Sequence, residues 1–417
     1  MREFMDYVHS AFYEATGWSR DNSYAALNAT SDALLDFQTP RGLRLTLSSL
    51  ASANFATSYQ LGSVGVVDGS ISYLFSSVPL RVHITPQSEN VSLPSLLRSY
   101  RPLTPLSIRD KESLQTLPDT SKPESSLFYG RLYLPQSQLE ALVVRRLSPA
   151  LQLQLSAVSA KYLRDGGTIL GLAQYDVGRY AFEGLASSDG GLLGLRGIYN
   201  FGGDAHPSPT DGTNHGEKER IYGRFSTGGE IYYGTLNKSG GISLGTRFAT
   251  LPTHNGTPLS ATLTMNPLMG NIAASYAVVA GKHCSLATRM EFNVFSYESA
   301  WAVGMELWRK PLRRLSVQDR PWEKYGERSF QAKLEWRLDE PQPTPVPEPD
   351  KILAVEKGKR EEEYAGVLKA RLDQNLRIGI LWEGRVKSLL FSLGSGIDLR
   401  KLDKPFRTLG LEIQFSS

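Results

Sequence analysis

Histidine and acidic side chains are the residues of this chain that could bind a metal ion or transfer protons. Two of the six histidines, His206 and His215, share a loop with Asp204 and Asp211. None of the six shows the H-E-x-x-H spacing or the Cys/His spacing of a zinc site. A metal site in this loop is one interpretation, but a solvated loop explains the same residues. We therefore predict that the chain binds no metal.

Other catalytic patterns are also missing from the sequence. It contains no G-x-x-x-x-G-K-[ST] phosphate loop and no G-x-S-x-G nucleophile elbow. Acidic residues such as Glu291 and Glu335 alternate with Arg289, Lys333 and Arg337. Neutralisation of opposite charges across strands inside a wet pore explains this alternation better than acid–base catalysis does. We expect neither enzymatic activity nor a cofactor.

Two pairs of aromatic residues are the candidates for binding. Tyr73 and Phe75 share one face of a predicted strand with Ile71, and Phe295 and Tyr297 form a second pair at a strand end. One interpretation is an aromatic girdle at a membrane interface. The other is an anchor for a partner protein, because aromatic side chains dominate the binding energy of interfaces. The sequence alone favours the girdle.

The elements that position these residues are strands, since most of the chain alternates between apolar and polar side chains. Ser329 to Leu338 shows this most clearly, and the segments Gly241–Phe248 and Cys284–Val294 repeat it. Repeated alternation favours a closed transmembrane β-barrel with lipid outside and water inside. The predicted all-β barrel has nineteen strands, at residues 42–51, 57–66, 69–77, 127–134, 138–147, 150–162, 167–176, 179–187, 190–200, 223–236, 240–249, 258–266, 270–280, 283–295, 299–309, 329–338, 375–383, 387–399 and 407–415.

Composition narrows the class further. Apolar residues make up 41% of 417 residues and the mean hydropathy is −0.27, which suits a soluble protein and a membrane barrel equally. No run of 18 apolar residues predicts a spanning helix. A net charge of +4 over this length is too small to indicate binding of nucleic acid. Because Cys284 is the single cysteine, the chain cannot form an intramolecular disulfide. The N-terminus has neither a secretory signal nor a matrix presequence pattern.

The predicted barrel has an N-terminal helical segment and long insertions. Residues 3–15 have helical periodicity, so we assign 1–40 to a helical segment and 41–417 to the barrel. This helix either lines the barrel or only closes one end, and the sequence favours the second alternative. Insertions at the rims are expected at 81–126, 202–219, 310–328 and 340–372, the last with a helical run from about Lys351 to Leu372.

The last strand carries a further pattern. Leu409, Leu411, Ile413 and Phe415 fall on one face, while Thr408, Gly410, Glu412 and Gln414 fall on the other. Its order of polar residue, glycine and two apolar residues resembles the signal by which mitochondria sort outer-membrane barrels. The resemblance implies that Thr408, Gly410, Ile413 and Phe415 form a sorting signal.

Short motifs occur in a recognisable order along nearly the whole chain: Met5-Asp6-Tyr7-Val8, Ala11-Phe12-Tyr13, Asn22-Ser23-Tyr24, Leu34-Leu35-Asp36-Phe37, Gly69-Ser70-Ile71-Ser72-Tyr73-Leu74, Tyr129-Gly130-Arg131-Leu132-Tyr133, Arg146-Leu147-Ser148-Pro149, Asn266-Pro267-Leu268, Tyr297-Glu298-Ser299 and Leu381-Trp382-Glu383-Gly384. Taken together, these motifs resemble those of the fungal mitochondrial distribution and morphology barrel, the outer-membrane β-barrel subunit of the ER–mitochondria encounter structure.

This resemblance implies a barrel like mitochondrial porin, located in the outer membrane at ER–mitochondria contact sites. Its implied partners are membrane lipid, the lipid-transfer-domain subunits of the tether, and the sorting and assembly machinery that inserts β-barrel proteins. The resemblance places Tyr73 and Phe75 at the tether contact, where Phe75 stands at a position that is often tyrosine in the family. Phe295 and Tyr297 would face the assembly machinery.

A different function is also compatible with the sequence. Charged residues on the predicted lumen face, such as Arg289 and Lys333, suit a solute channel of the mitochondrial porin type. Long rim insertions and exposed aromatic pairs favour a scaffold that anchors the tether and so supports lipid exchange and mitochondrial morphology. We therefore predict the scaffold, with the channel as the alternative.

Overall fold

Alternating side chains fold into one closed sheet in the computed structural model of the protein. The structure describes residues 1–64, 66–106, 124–161, 163, 166–202, 223–252, 254, 256–281, 283–310, 364–400 and 406–417. The strands within these residues are β1 (Gly42–Ser52), β2 (Phe55–Val64), β3 (Val66–Ser76), β4 (Ser125–Leu134), β5 (Gln138–Arg146), β6 (Leu151–Ser159), β7 (Gly167–Asp176), β8 (Tyr180–Ser187), β9 (Leu192–Phe201), β10 (Gly223–Gly234), β11 (Ser239–Thr250), β12 (Leu259–Asn266), β13 (Asn271–Val279), β14 (Cys284–Asn293), β15 (Ser299–Arg309), β16 (Gly366–Asp373), β17 (Arg377–Val386), β18 (Leu389–Asp398) and β19 (Phe406–Ser416).

Each strand pairs with the next one along the chain, and β19 pairs with β1 to close the ring. All consecutive pairs are antiparallel, whereas β1 and β19 run parallel, from Gly42 opposite Gly410 to Ser48 opposite Ser416. A parallel seam follows from the odd number of strands in the described residues, nineteen, because the first and last strands then point the same way. Closure leaves no exposed sheet edge. The prediction of a barrel of about nineteen strands is confirmed.

One strand was predicted wrongly. Residues 366–372, assigned from the sequence to an insertion with a helical run, form most of β16 and pair with β15 and β17. The misleading feature is charge, because Lys369 and Arg371 face inward and donate to the backbone oxygens of Arg98 and Leu35. The predicted strand at 329–338 lies outside the described residues, as do Lys333, Glu335 and Arg337.

The two faces of the wall differ as the alternation predicts. Outward positions carry large exposed apolar side chains such as Leu195 and Leu244, whereas inward positions carry buried polar ones such as Glu183 and Arg247. No helix among the described residues is both long enough and apolar enough to span a membrane.

The N-terminal segment lies inside the barrel. Helix α1 (Phe4–Thr16) ends at Gly17, which adopts a positive φ of 66° and donates its N–H to the Glu14 carbonyl. A second helix, α2 (Ala29–Leu35), follows a 3₁₀ turn at Tyr24–Ala26. The two helices contact opposite parts of the wall, α1 touching β2 and β3, and α2 touching β13 to β16. Both helices thus line the inside of the barrel wall.

The connection between β3 and β4 also folds inward over residues 77–106. It contains the short helix α3 (Leu93–Leu96), whose apolar residues pack with Val367 of β16 and Leu390 of β18. Leu80 and Ile84 pack against α1 and against inward-facing wall residues such as Leu74. We call residues 1–40 and 77–106 together the inner layer. The part of the expected 81–126 insertion that the structure describes therefore belongs largely to the barrel interior.

The two ends of the barrel are unequal. At one end the chain turns within short segments such as 135–137, 235–238 and 374–376. Connections 77–124, 202–222 and 310–365, by far the longest, all begin and end at the other end. We call these ends the short-turn rim and the long-loop rim. Antiparallel order places every second connection at the same end, and all three long connections follow odd-numbered strands.

The face assignment makes a testable prediction. Leu263, outward and exposed at the middle of β12, should lose about 2–4 kcal/mol of folding stability in a bilayer when changed to Arg, since the charge enters hydrocarbon. Thr264→Arg, one residue along and facing the lumen, should cost much less. Urea titration of barrels folded into lipid vesicles measures both. Equal losses would contradict the assignment of faces.

Candidate functional site

Basic side chains of the wall hold the inner layer in place. Arg247 donates to the backbone oxygens of Ala26 (3.1 Å) and Asp21 (3.3 Å). Arg385 donates to the oxygens of Val91 (2.7 Å) and Glu89 (2.9 Å). Irregular backbone inside the barrel leaves carbonyl groups without partners, and these cations satisfy them. Wall and inner layer are therefore joined by charge-assisted hydrogen bonds as well as by apolar packing.

An ion-pair cluster fixes the end of α2. Arg289 of β14 donates to Asp36 at 2.7 and 2.9 Å and to Asp32 at 3.4 Å. Burial, reinforced by the neighbouring Asp36, raises the pKa of Asp32 to about 6, and Arg289 opposes that rise. Two carboxylates this close repel one another unless a cation lies between them. Arg289, predicted to face the lumen, thus has a structural role there.

Tyr73 and Phe75 face outward from β3 near the long-loop rim. Their side chains are 46% and 47% exposed, whereas Leu74 between them is 1% exposed and packs on the inner layer. The Tyr73 ring stacks on Phe55 with 5.9 Å between centroids, and the Phe75 ring lies 6.5 Å from Phe128. The structure therefore places the predicted tether pair in a larger aromatic surface, which we call the β2–β4 patch.

A second aromatic surface was missed in the sequence. It lies at the same rim on β7 to β10 and consists of Tyr175, Tyr180, Phe182, Tyr199, Phe201 and Phe225. Ring centroids of neighbouring members are 4.7–6.5 Å apart. Each residue is near a strand end at the long-loop rim, and that position is the signal that could have revealed them. We call this surface the β7–β10 patch. Its presence is typical of a girdle, so the partner-binding role of Tyr73 and Phe75 stays a prediction.

Phe295 and Tyr297 lie at the opposite end of the barrel. They belong to the turn between β14 and β15 at the short-turn rim, not to a strand end, because β14 stops at Asn293. The Asn293 side chain accepts hydrogen bonds from the backbone N–H groups of Phe295 (2.8 Å) and Ser296 (2.9 Å). Tyr297, with a positive φ of 56°, is 80% exposed. The two predicted aromatic pairs thus form two separate surfaces.

The predicted sorting signal forms the seam of the barrel. Ile413 and Phe415 lie outward, opposite Leu45 and Leu47 of β1, while Thr408 and Gly410 face inward. Thr408 Oγ1 lies 3.2 Å from Thr39 Oγ1, at the end of the inner layer.

Gly410 lies directly beneath the chain that leads into β1. A Cβ atom at this position would overlap the Pro40 carbonyl and come within 2.7 Å of the Arg41 nitrogen. Its neighbour across the sheet, Gly394, is equally confined, since a Cβ there would lie 2.5 Å from Pro40 Cδ. Both positions require glycine because the backbone approaches so closely. The glycine of the signal therefore also has a role in the folded barrel.

Within the part of the chain that the structure describes, no group of three or more His, Cys, Asp or Glu side chains is placed to hold a metal ion. The loop with Asp204, His206, Asp211 and His215 lies outside the described residues.

The fold defines the class of the protein: a single-chain β-barrel with an apolar exterior and its own N-terminal segment packed inside. The model of one protein family, "Mitochondrial distribution and morphology protein 10", matches residues 1–417. Relatives with that same name are 61% identical over 95% of this chain in Chaetomium globosum, 59% identical over its full length in Podospora anserina, and 56% identical over its full length in Neurospora crassa. The matches cover 99%, 100% and 100% of those relatives. The chain belongs to the mitochondrial distribution and morphology protein 10 family.

Gly410 has two predicted roles, one in the close packing of the seam and one in the sorting signal, and a matched variant at Gly394 separates them. We expect both Gly410→Ala and Gly394→Ala to lower the melting temperature of the refolded barrel, because each methyl group collides with Pro40. Only Gly410→Ala should also slow integration into the membrane of isolated mitochondria, because Gly394 lies outside the signal. Differential scanning fluorimetry and carbonate-resistant import assays measure the two effects. Equal import defects in both variants would show that Gly410 acts through the seam alone.

Proposed function

We propose that this protein is a non-enzymatic scaffold of the mitochondrial outer membrane. It anchors an ER–mitochondria tether, which supports lipid exchange and mitochondrial morphology, and it assists the assembly of other β-barrel proteins. The observation that carries this proposal is a sealed barrel whose interior is occupied by its own chain while aromatic side chains remain exposed outside. Such a molecule offers surfaces for binding.

The apolar exterior supports the membrane location. Large apolar residues cover outward positions on strand after strand, including Leu155, Ile231 and Met290. Contact between this apolar area and water would cost a large amount of free energy, whereas contact with hydrocarbon would not. Strand lengths of 8–12 residues also suit a bilayer, which a tilted strand of about 9–11 residues crosses.

The positions of the aromatic pairs support two different partners. Tyr73 and Phe75 face outward below the long-loop rim, and Phe295 and Tyr297 project from the short-turn rim. A partner bound at one rim leaves the other rim accessible. This arrangement suits a scaffold that takes part in two assemblies, the tether and the sorting and assembly machinery.

The alternative function, a wide solute channel, is less compatible with the interior. Inner-layer residues contact the wall around much of its circumference, through Leu74 on β3, Ala181 on β8, Ala277 on β13 and Leu390 on β18. A porin-type pore needs this space for water and ions. We therefore favour the scaffold over the channel.

The tether contact can be tested with a matched pair of double variants. Tyr73→Ala with Phe75→Ala should reduce co-purification with tether subunits at least several-fold, since buried aromatic anchors dominate interface energy. Tyr199→Ala with Phe201→Ala removes the same kind of surface from the β7–β10 patch and should leave the tether bound. Affinity purification in mild detergent, alongside carbonate extraction, measures binding and insertion. If both variants lose membrane insertion, or neither loses the tether, the β2–β4 patch is only a girdle.

The channel alternative can be tested with purified protein. Barrels reconstituted in a planar bilayer without partners should show little conductance, because the inner layer occupies space in the lumen and contacts the wall on β3, β8, β13 and β18. Single-channel recording beside a mitochondrial porin provides the comparison. A large, voltage-gated conductance that persists for the unmodified chain would overturn the scaffold proposal in favour of the channel.

A further inference from the structure

A groove of about 790 Å³ crosses the outer wall of the barrel between β5 and β10. Its floor is made of small residues on β7 and β8, where Gly171 lies opposite Ala186 and Ala173 lies opposite Gly184. Because these four positions carry no larger side chain, they form a depression in the apolar outer wall. Pockets that hold small ligands have volumes of roughly 300–1,000 Å³, so the groove is large enough for one.

Leucine residues form both walls of the groove. Leu153 and Leu155 of β6 flank the floor on one side, and Leu193 and Leu195 of β9 flank it on the other. All four side chains are exposed, which means that no other part of the described chain covers them. An apolar chain in this groove would contact the floor and both walls, gaining dispersion energy that a smooth barrel surface does not offer.

An exposed ion pair lies at the end of the groove nearest the long-loop rim. Arg145 of β5 lines the groove beside Leu153 and points outward, since its neighbours Val144 and Arg146 are buried inward. Its guanidinium pairs with the carboxylate of Glu124, which immediately precedes β4, and both side chains are 57% exposed. A cation and an anion therefore lie side by side where an apolar groove meets the rim.

We propose that this groove binds a zwitterionic glycerophospholipid, with an acyl chain along the floor and the headgroup on the ion pair. Arginine binds phosphate through paired N–H donors, and the Glu124 carboxylate complements the ammonium group of the same headgroup. An anionic lipid would satisfy Arg145 but would be repelled by Glu124. The inference rests on the membrane location proposed above and adds a defined lipid site to it.

A transmembrane helix of a partner is the competing occupant. It could pack its side chains on the same small-residue floor, but it would have no need of a cation and an anion together at one end. Charge variants therefore distinguish the two occupants, because they change lipid selectivity and leave apolar packing intact.

Lipid retained by the full chain gives the first test. The barrel is reconstituted in an equimolar mixture of phosphatidylcholine and phosphatidylglycerol, re-extracted in mild detergent and examined by native mass spectrometry. We expect bound phosphatidylcholine. Gly171→Leu with Ala186→Leu fills the floor and should reduce that retention by about tenfold, a difference of roughly 1.4 kcal/mol. Ala274→Leu, which adds the same side chain to an exposed outward position on β13, is the control and should retain the lipid.

Headgroup selectivity gives the second test. Arg145→Gln should reduce retention of both lipids, and Glu124→Gln should shift the retained lipid towards phosphatidylglycerol by removing the repulsion. Arg309→Gln, at an exposed outward cation on the same rim but outside the groove, is the control. If both groove-charge variants keep the amount and headgroup of the lipid unchanged, the proposal is overturned and a generic apolar occupant is favoured.

The outcome for this site is separable from the outcome for the proposed function. Extraction of the unmodified chain by carbonate would refute the membrane location itself. A barrel that resists carbonate but retains no selected lipid would refute only the lipid site.

Discussion

Closure of the sheet between β1 and β19 is the constraint on which the other features of the barrel depend. In hydrocarbon, each unpaired backbone group costs several kcal/mol, so a wall in contact with lipid cannot have an edge. An odd number of strands makes the seam parallel, and a parallel ladder is slightly less stable per residue than an antiparallel one. The chain that leads into β1 crosses the inside of this seam at Pro40, which Gly394 and Gly410 permit. The weakest pairing of the ring is therefore covered from within.

The inner layer and the wall depend on each other. A bare barrel would have inward-facing arginines and lysines with few partners, and a bare inner layer would be irregular chain with exposed carbonyl groups. Together they satisfy these groups, as when Arg224 donates to the Thr104 oxygen at 3.2 Å. Arg289, one of the lumen-facing cations that suggested a channel from sequence alone, pairs with Asp32 and Asp36 at the end of α2. A cation in this position is therefore compatible with a scaffold.

Local patterns made the wall predictable, whereas contacts between distant parts of the chain were not. Alternation placed Leu244 outside and Arg247 inside because it depends only on the two-residue period of a strand. It failed at β16, where Lys369 is buried against Arg98, more than 250 residues earlier in the chain. The inward course of residues 77–106 was missed for the same reason. It depends on contacts with wall residues far away in the chain, such as Val367 and Leu390, and a local pattern does not report such contacts.

The path of the chain from α1 to the start of β1 has a consequence for assembly of the barrel. β1 begins at the short-turn rim, yet α1 packs near the long-loop rim, beside Leu50 and Leu127. The first forty residues therefore run through much of the height of the barrel. If β1 and β19 paired first, the first forty residues would have to enter a closed barrel and pass the inward side chains that they contact in the folded protein. Placing the first forty residues while β1 and β19 are still apart avoids that passage, so the topology of the chain favours this order of assembly.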